Sequence, residues 1–81
     1  YQWSRYVTLY IESDRNRTAA MLLHKLRSDG CTVDMYDVDK SRAEGQSFTI
    51  LITVRIPARM KKGEYLKELE HLEGVLFVDA L

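Results

Sequence analysis

The sequence is poor in cysteine, in net charge and in long apolar runs, and each lack excludes a class of protein. The single cysteine, Cys31, cannot form an internal disulfide, and no Cys or His pair has zinc-site spacing. Twelve basic and twelve acidic residues cancel, so the long-range field that favours nucleic-acid or anionic-membrane binding is absent. No apolar run approaches the roughly 18 residues of a membrane-spanning helix, and no signal-peptide pattern is present.

The length of 81 residues predicts one domain with a small core. The 46% hydrophobic and 30% charged fractions are those of an ordinary globular domain. Because a core of this size is marginal, we expect further burial against a partner or a parent protein. The chain begins at Tyr1 and not at methionine, so we expect residues 1–81 to be one domain excised from a longer protein.

The longest uninterrupted β pattern covers residues 48–56. Phe48, Ile50, Ile52, Val54 and Ile56 alternate with more polar residues, which predicts one fully apolar face and one mixed face. The β-branched content favours a strand over a helix. We therefore expect a central strand in a sheet that is covered on one side.

The remaining elements follow from the same periodicities. We predict strands over residues 5–12, 31–39 and 75–81, helices over residues 18–28 and 61–72, and a hairpin connection over residues 41–46. Asp14 or Asn16 is expected to cap the first helix and Gly30 to end it. Leu66, Leu69 and Leu72 are expected to form the buried stripe of the second helix, with Tyr65 beside it. The apolar phase of residues 31–39 slips, with Val33 and Met35 on one face, which indicates a bulge or an edge position.

This order predicts a βαββαβ chain of the α+β class with a ferredoxin-like fold. Right-handed crossovers give a four-stranded antiparallel sheet of order 2-3-1-4 with both helices on one face.

Three carboxylates, Asp34, Asp37 and Asp39, crowd the second strand. They could ligate a hard cation, but strand alternation separates them and no glycine-containing loop wraps them. Protection of an exposed sheet edge is the favoured interpretation.

Other reactive side chains have structural interpretations. His24 and His71 are expected on solvent-facing helix positions, and Cys31 is expected to be a small buried thiol. The basic residues Arg59, Lys61 and Lys62, with Arg55 nearby, are expected to solvate the start of the second helix, where an anion site is the alternative. We predict no catalytic residue, no cofactor and no metal.

Tyr6 and Tyr10 are predicted to lie on the sheet face that carries no helix. Such a pair suits a stacking or docking platform. RNA-binding modules of this topology use aromatics from both central strands, but Thr49, Leu51 and Thr53 supply none here, so a protein surface is favoured.

Three segments resemble a known family. Residues 22–33 (LLHKLRSDGCTV), 50–57 (ILITVRIP) and 69–78 (LEHLEGVLFV) are similar to ACT-like domains, most closely to the soluble C-terminal domain of MgtC/SapB membrane proteins. The resemblance implies a non-enzymatic regulatory or assembly module, cytoplasmic, with a parent in the inner (plasma) membrane that is linked to magnesium homeostasis. The alternative that it implies is an amino-acid sensor, although residues 13–18 lack the glycine of effector-binding ACT domains.

The last expectation is self-association. An apolar patch formed by Tyr6, Tyr10 and Leu51 on the open face, and by Val75 and Phe77 on the last strand, is predicted to form an interface in a homodimer or with another part of a membrane protein. No nucleic-acid partner is expected, and a small effector is left open.

Overall fold

The computed structural model describes residues 5–39 and 45–81, which contain four strands and two helices. The elements are β1 (Arg5–Ser13), α1 (Thr18–Ser28), β2 (Thr32–Asp39), β3 (Phe48–Ile56), α2 (Lys62–Glu70) and β4 (Val75–Ala80). All strand pairs are antiparallel, in the order β2-β3-β1-β4. This confirms the predicted βαββαβ, ferredoxin-like fold and its 2-3-1-4 strand order.

The central strands β1 and β3 pair without interruption from Arg5↔Ile56 to Ser13↔Phe48. This register sets the apolar residues of the two strands opposite one another, with Leu9 beside Ile52 and Ile11 beside Ile50, all fully buried. The strict alternation read from residues 48–56 therefore becomes the sheet half of the core, and the helices cover it.

Strand β2 lies at an edge and carries a register shift between Val33 and Met35. Val33 pairs with the buried Val54, whereas Met35 pairs with Thr53 on the other face. The predicted bulge and edge position are both present. The expectation that Val33 and Met35 share a face was wrong, because the extra residue of the bulge reverses the alternation.

Helix α1 has its predicted bounds and buries Ala19, Leu22 and Leu26. The amide of Cys31 donates to the Leu26 carbonyl (2.9 Å) and that of Gly30 to the Arg27 carbonyl (3.1 Å). Gly30 has φ +89°, so the predicted helix end is confirmed as a Schellman motif.

The predicted cap of α1 was wrong. Arg17 occupies the N-cap position and makes no side-chain capping bond. Asp14 is unavailable for capping because its carboxylate pairs with Arg15, while its amide donates to the Gly74 carbonyl (2.9 Å).

Helix α2 is shorter than residues 61–72. Beyond Glu70, the amides of His71 and Leu72 donate to carbonyls three residues back, those of Glu68 and Leu69, which tightens the chain into a turn. The buried residues of α2 are Tyr65 and Leu69, while Leu66 and Leu72 are only partly buried. The expected stripe of three buried leucines was therefore wrong. The orientation of the helix places the Tyr65 ring in the core and leaves Leu66 and Leu72 at its margin.

Residues 40–44, and with them most of the predicted hairpin connection, lie outside the described part of the chain. Within the described ranges, no helix has the length and apolarity needed to span a membrane.

Candidate functional site on the open sheet face

The sheet face that carries no helix is built from alternate residues of all four strands. Directly paired residues share a face, so the registers define this surface, which we call the open face. Its described members are Thr32, Met35, Asp37 and Asp39 of β2, Thr49, Leu51, Thr53 and Arg55 of β3, Tyr6, Thr8, Tyr10 and Glu12 of β1, and Phe77 and Asp79 of β4.

Apolar side chains on the open face are unusually accessible. Tyr6 is 60% exposed, Phe77 47%, Leu51 38% and Met35 68%. Tyr10 is half-buried, and its ring meets that of Phe77 edge to face with centroids 6.2 Å apart. Leu51 is the direct cross-strand partner of Tyr10. An aromatic and aliphatic patch thus runs across β3, β1 and β4 and is available to a partner.

Polar contacts fix the orientation of this patch. The Arg55 guanidinium lies over the Tyr6 ring, 4.7 Å from its centroid, and donates to the Tyr6 hydroxyl. The Thr8 and Thr53 hydroxyls are 3.2 Å apart, within hydrogen-bonding distance, and the Tyr10 hydroxyl donates to Glu12 Oε1 (2.9 Å). The polar ends of the Tyr6 and Tyr10 side chains are thus each bonded to a neighbouring side chain.

Four of the five predicted interface residues lie together. Tyr6, Tyr10, Leu51 and Phe77 are all on the open face, whereas Val75 pairs with the buried Ser13 and packs against the core. Leu76, in the apolar run of the last strand, is 60% exposed beside the register shift of β4. Participation of these residues in an interface stays a prediction.

The three aspartates of β2 are separated as expected. Asp37 and Asp39 lie on the open face opposite Leu51 and Thr49, and Asp34 lies in the bulge. All three are exposed on an edge strand. Among residues 5–39 and 45–81, no three His, Cys, Asp or Glu side chains are grouped as a metal site would require.

The histidines and the cysteine lie where the sequence placed them. His24 and His71 are exposed, and His71 Nδ1 is 2.7 Å from the Lys67 carbonyl oxygen. Cys31 is a buried free thiol, and this burial raises its pKa. Among the described residues, neither histidine makes a hydrogen bond to the thiol.

The basic residues near α2 do not form one cluster. Arg55 belongs to the open face, while Arg59 Nη2 donates to the Asp29 carbonyl (3.2 Å). Lys61 and Lys62 are exposed at the start of α2. An anion site at the start of α2, the alternative considered from the sequence, would therefore not include the Arg55 side chain.

The loop between β1 and α1, where the ACT resemblance places an effector, is tied to the loop that precedes β4. Arg15 bridges Asp14 (2.8 Å) and Glu73 (3.1 Å), and the hydrogen bond from Arg15 lowers the pKa of Asp14. The Ser13 hydroxyl donates to the Arg15 carbonyl (3.1 Å). The side chains of Ser13, Asp14 and Arg15 are therefore bonded to other groups of these two loops.

A polar cluster that the sequence analysis missed joins the two helices. Lys25 Nζ lies 2.9 Å from Asp29 Oδ2 and 2.6 Å from Glu68 Oε2, and the Tyr65 hydroxyl donates to Asp29 Oδ2 (2.7 Å). The hydrogen bond from Lys25 lowers the pKa of Asp29, and burial, followed by the bond to Asp29, raises that of Tyr65. The i, i+4 spacing of Lys25 and Asp29 signals half of the cluster, whereas the α2 residues join it only through packing.

Known structures share this architecture. The crystal structure of the ACT domain from GTP pyrophosphokinase of Chlorobium tepidum superposes with a TM-score of 0.73 at 14% identity, covering 98% of this chain and 100% of that one. The solution NMR structure of the same domain gives a TM-score of 0.69 at 15% identity, covering 96% of this chain and 86% of that one. No protein-family model and no curated protein sequence matches the chain. At this level of identity the likeness establishes the fold, which is that of an ACT domain.

Proposed function

We propose that this chain is a non-catalytic regulatory or interaction domain that works through its open face. The observation that carries the proposal is the accessible patch of Tyr6, Tyr10, Leu51 and Phe77 on an otherwise well-packed sheet. Exposed aromatic and aliphatic side chains that are contiguous and held by hydrogen bonds are typical of protein-binding surfaces. The ACT-type fold supports a regulatory role by analogy.

We further propose that the parent is an MgtC/SapB-like membrane protein, with this domain as its cytoplasmic C-terminal part and a role in magnesium homeostasis. Support comes from the resemblance over residues 22–33, 50–57 and 69–78. The sequence that precedes Tyr1 in the gene tests this. Several apolar spans there would support it, and a catalytic or DNA-binding domain would contradict it.

The second candidate is an effector sensor that controls an enzyme or a transcription factor. The likeness to an ACT domain from GTP pyrophosphokinase favours it, and the bonds that already engage Ser13, Asp14 and Arg15 oppose it.

A thermal-shift panel of amino acids, nucleotides and divalent ions separates the two candidates. A ligand that binds the folded state raises its stability in proportion to RT ln(1 + [L]/Kd), so a sensor gains stability with concentration. We expect no saturable shift. If an amino acid does produce one, Arg15→Ala, which removes the pairs with Asp14 and Glu73, should change the shift when the ligand binds at this loop. Arg27→Ala on α1 is the matched control and should leave the shift unchanged.

RNA binding is a third, weaker class. Titration of a fluorescent single strand in low salt should be flat, because the open face has aromatics on β1 but none on β3 among the described residues. Affinity that is lost in Tyr10→Ala would contradict this.

A further inference from the structure

Charges on the open face are almost all of one sign. Its described members include one cation, Arg55, and four carboxylates, those of Glu12, Asp37, Asp39 and Asp79. The whole chain, by contrast, carries equal numbers of basic and acidic residues. The open face is therefore an acidic surface on a chain that has no net charge.

The carboxylates border the apolar patch on both sides. Asp37 of β2 and Asp79 of β4 lie at the two ends of the row that contains Leu51 and Tyr10. Neighbouring strands are about 4.8 Å apart, so three strand spacings separate the two aspartates by about 14 Å. Glu12 lies in the next row of the face, where its carboxylate accepts from the Tyr10 hydroxyl. An apolar centre thus lies between two acidic sides.

Asp37 and Asp79 are not neutralised by other parts of the described chain. Both are exposed, and neither side chain makes an ion pair with a residue of the ranges 5–39 and 45–81. Arg55 lies over the Tyr6 ring, and four strand positions, about 13 Å, separate the Tyr6 row from the Tyr10 row. Both aspartates are therefore available to a cationic partner.

We infer that the open face binds a cationic amphipathic helix of a partner protein. This inference rests on the proposed interaction role and adds the chemistry and the shape of the partner. A helix with its side chains is about 10–12 Å wide, so a helix laid along β3 and β1 fits between Asp37 and Asp79. Its apolar stripe covers Leu51 and Tyr10. Lysine or arginine side chains on its two flanks reach the carboxylates, while their aliphatic stems cover the surrounding apolar surface.

The dimensions of the open face also set the length and the direction of the helix. Six strand positions separate the Tyr6 and Glu12 rows, a span of about 20 Å, which a helix of about 14 residues covers. The positive N-terminal end of the helix dipole is favoured near Glu12, and the negative C-terminal end is favoured near Arg55.

A second copy of the chain is a weaker occupant of the same surface. It would bring a second acidic open face, with one Arg55 for its four carboxylates, against the first. Like charges placed opposite one another oppose association. A cationic helix should therefore displace a copy that occupies the patch.

Fluorescence anisotropy with designed peptides tests the inference. The probe is a labelled 14-residue peptide of leucine and lysine, with leucines at i, i+3, i+4 and i+7 spacing. A leucine–glutamate peptide has the same stripe and the opposite charge, and a scrambled leucine–lysine peptide has the same charge and no stripe. The probe should bind saturably, and both comparison peptides should bind at least about tenfold more weakly.

Charge reversal on the protein locates the contact. Asp37→Lys combined with Asp79→Lys should weaken binding of the probe by about tenfold or more, and it should strengthen binding of the leucine–glutamate peptide. Glu64→Lys combined with Glu70→Lys is the matched control, because it makes the same change in net charge at exposed positions of α2. This control should leave the Kd of the probe unchanged within about twofold. Circular dichroism melts establish that each variant is folded.

The apolar part of the contact is measured separately in high salt. In 1 M NaCl the Debye length is about 3 Å, so the difference between the two double variants should shrink. Leu51→Asn should still weaken binding of the probe under these conditions, because it removes apolar surface from the centre of the patch.

The outcomes separate this inference from the proposed function. Equal binding of the leucine–lysine and leucine–glutamate peptides, or equal weakening by the two double variants, overturns the cationic helix and leaves an interaction role for the patch. Absence of binding by the probe overturns it as well, as does a dimer of the chain that the probe does not dissociate in sedimentation equilibrium. A saturable amino-acid shift in the ligand panel overturns the proposed function, whether or not the probe binds.

Discussion

Gly74 lies directly against Thr18, so closely that a Cβ at position 74 would be 2.4 Å from Thr18 Oγ1. The same Cβ would be 3.1 Å from Asp14 Oδ1, and the backbone of Gly74 has φ +88°. The Thr18 hydroxyl is fully buried and has no hydrogen-bond partner among the described residues. The loop before β4 is therefore packed against the start of α1 with no room for a side chain.

Gly74→Ala should destabilise the domain by more than backbone strain alone. A left-handed alanine costs about 1–2 kcal/mol, and the contact with Thr18 adds an overpacking cost of about 1–3 kcal/mol. Gly45→Ala is the matched control, because Gly45 has φ +86° but no described residue lies within 4 Å of the added Cβ. Urea unfolding measures both. Equal losses of unfolding free energy would contradict the close contact.

The contact can also be measured as a coupling. In a Thr18→Ala background the Oγ1 atom is gone, so Gly74→Ala should cost less than it does in wild type. A cycle of the four proteins should give a coupling of about 1 kcal/mol. Strict additivity would show that Thr18 is not what excludes the methyl group.

Asp29 should stabilise the fold at neutral pH and lose its effect in acid. Its pKa is lowered in the folded state by Lys25 and then Tyr65, so the folded form binds protons less readily than the unfolded chain. The stabilisation is present above the unfolded pKa of about 3.9 and disappears as the pH falls through the folded value. The unfolding free energies of wild type and Asp29→Asn should therefore differ at pH 7 and converge below pH 4. A constant difference would contradict this.

Tyr65→Phe should destabilise the domain by about 1 kcal/mol. The ring remains in the core, but Asp29 loses a donor at 2.7 Å. Tyr36→Phe serves as the control, since Tyr36 is exposed on the edge strand and should change stability by less than about 0.5 kcal/mol. If both substitutions had the same small effect, the inter-helix cluster would not contribute to stability.

Leu69→Ala and Leu66→Ala should differ, because α2 turns Leu69 fully into the core and Leu66 only partly. Leu69→Ala should cost about 2–5 kcal/mol, in the range for a fully buried leucine. Leu66→Ala should cost less than half as much. Thermal melts suffice for the ranking, and equal losses for the two variants would agree instead with the leucine stripe predicted from the sequence.

The open-face patch predicts that single substitutions weaken self-association without unfolding the chain. Tyr10→Asp should place a carboxylate at the centre of the patch and reduce dimerisation at tens of micromolar, as should Phe77→Lys. Lys67→Glu on the exposed side of α2 is the matched control and should leave the sedimentation coefficient unchanged. Dimerisation that survives both open-face variants would exclude the patch.

Short-range patterns determined much of this fold. Residues 48–56 alternate strictly because each second side chain must enter the core, and this marked β3 as central. Helix α1 ends through backbone hydrogen bonds that span only a few residues, from Cys31 to Leu26 and from Gly30 to Arg27. Such features were readable because their physical causes lie within one element.

Tertiary structure decided what depended on distant partners. A single bulged residue in β2 moved Met35 to the open face, and the pairing of Asp14 with Arg15 removed it as a helix cap. Packing of α2 on the sheet buries Tyr65 more fully than Leu66, and it places Glu68 beside Lys25. The open face itself exists because register, which depends on residues about 45 positions apart, sets Tyr6 beside Arg55 and Tyr10 beside Leu51. Periodicity states which side chains share a face of one element, but only the assembled sheet states which elements share that face.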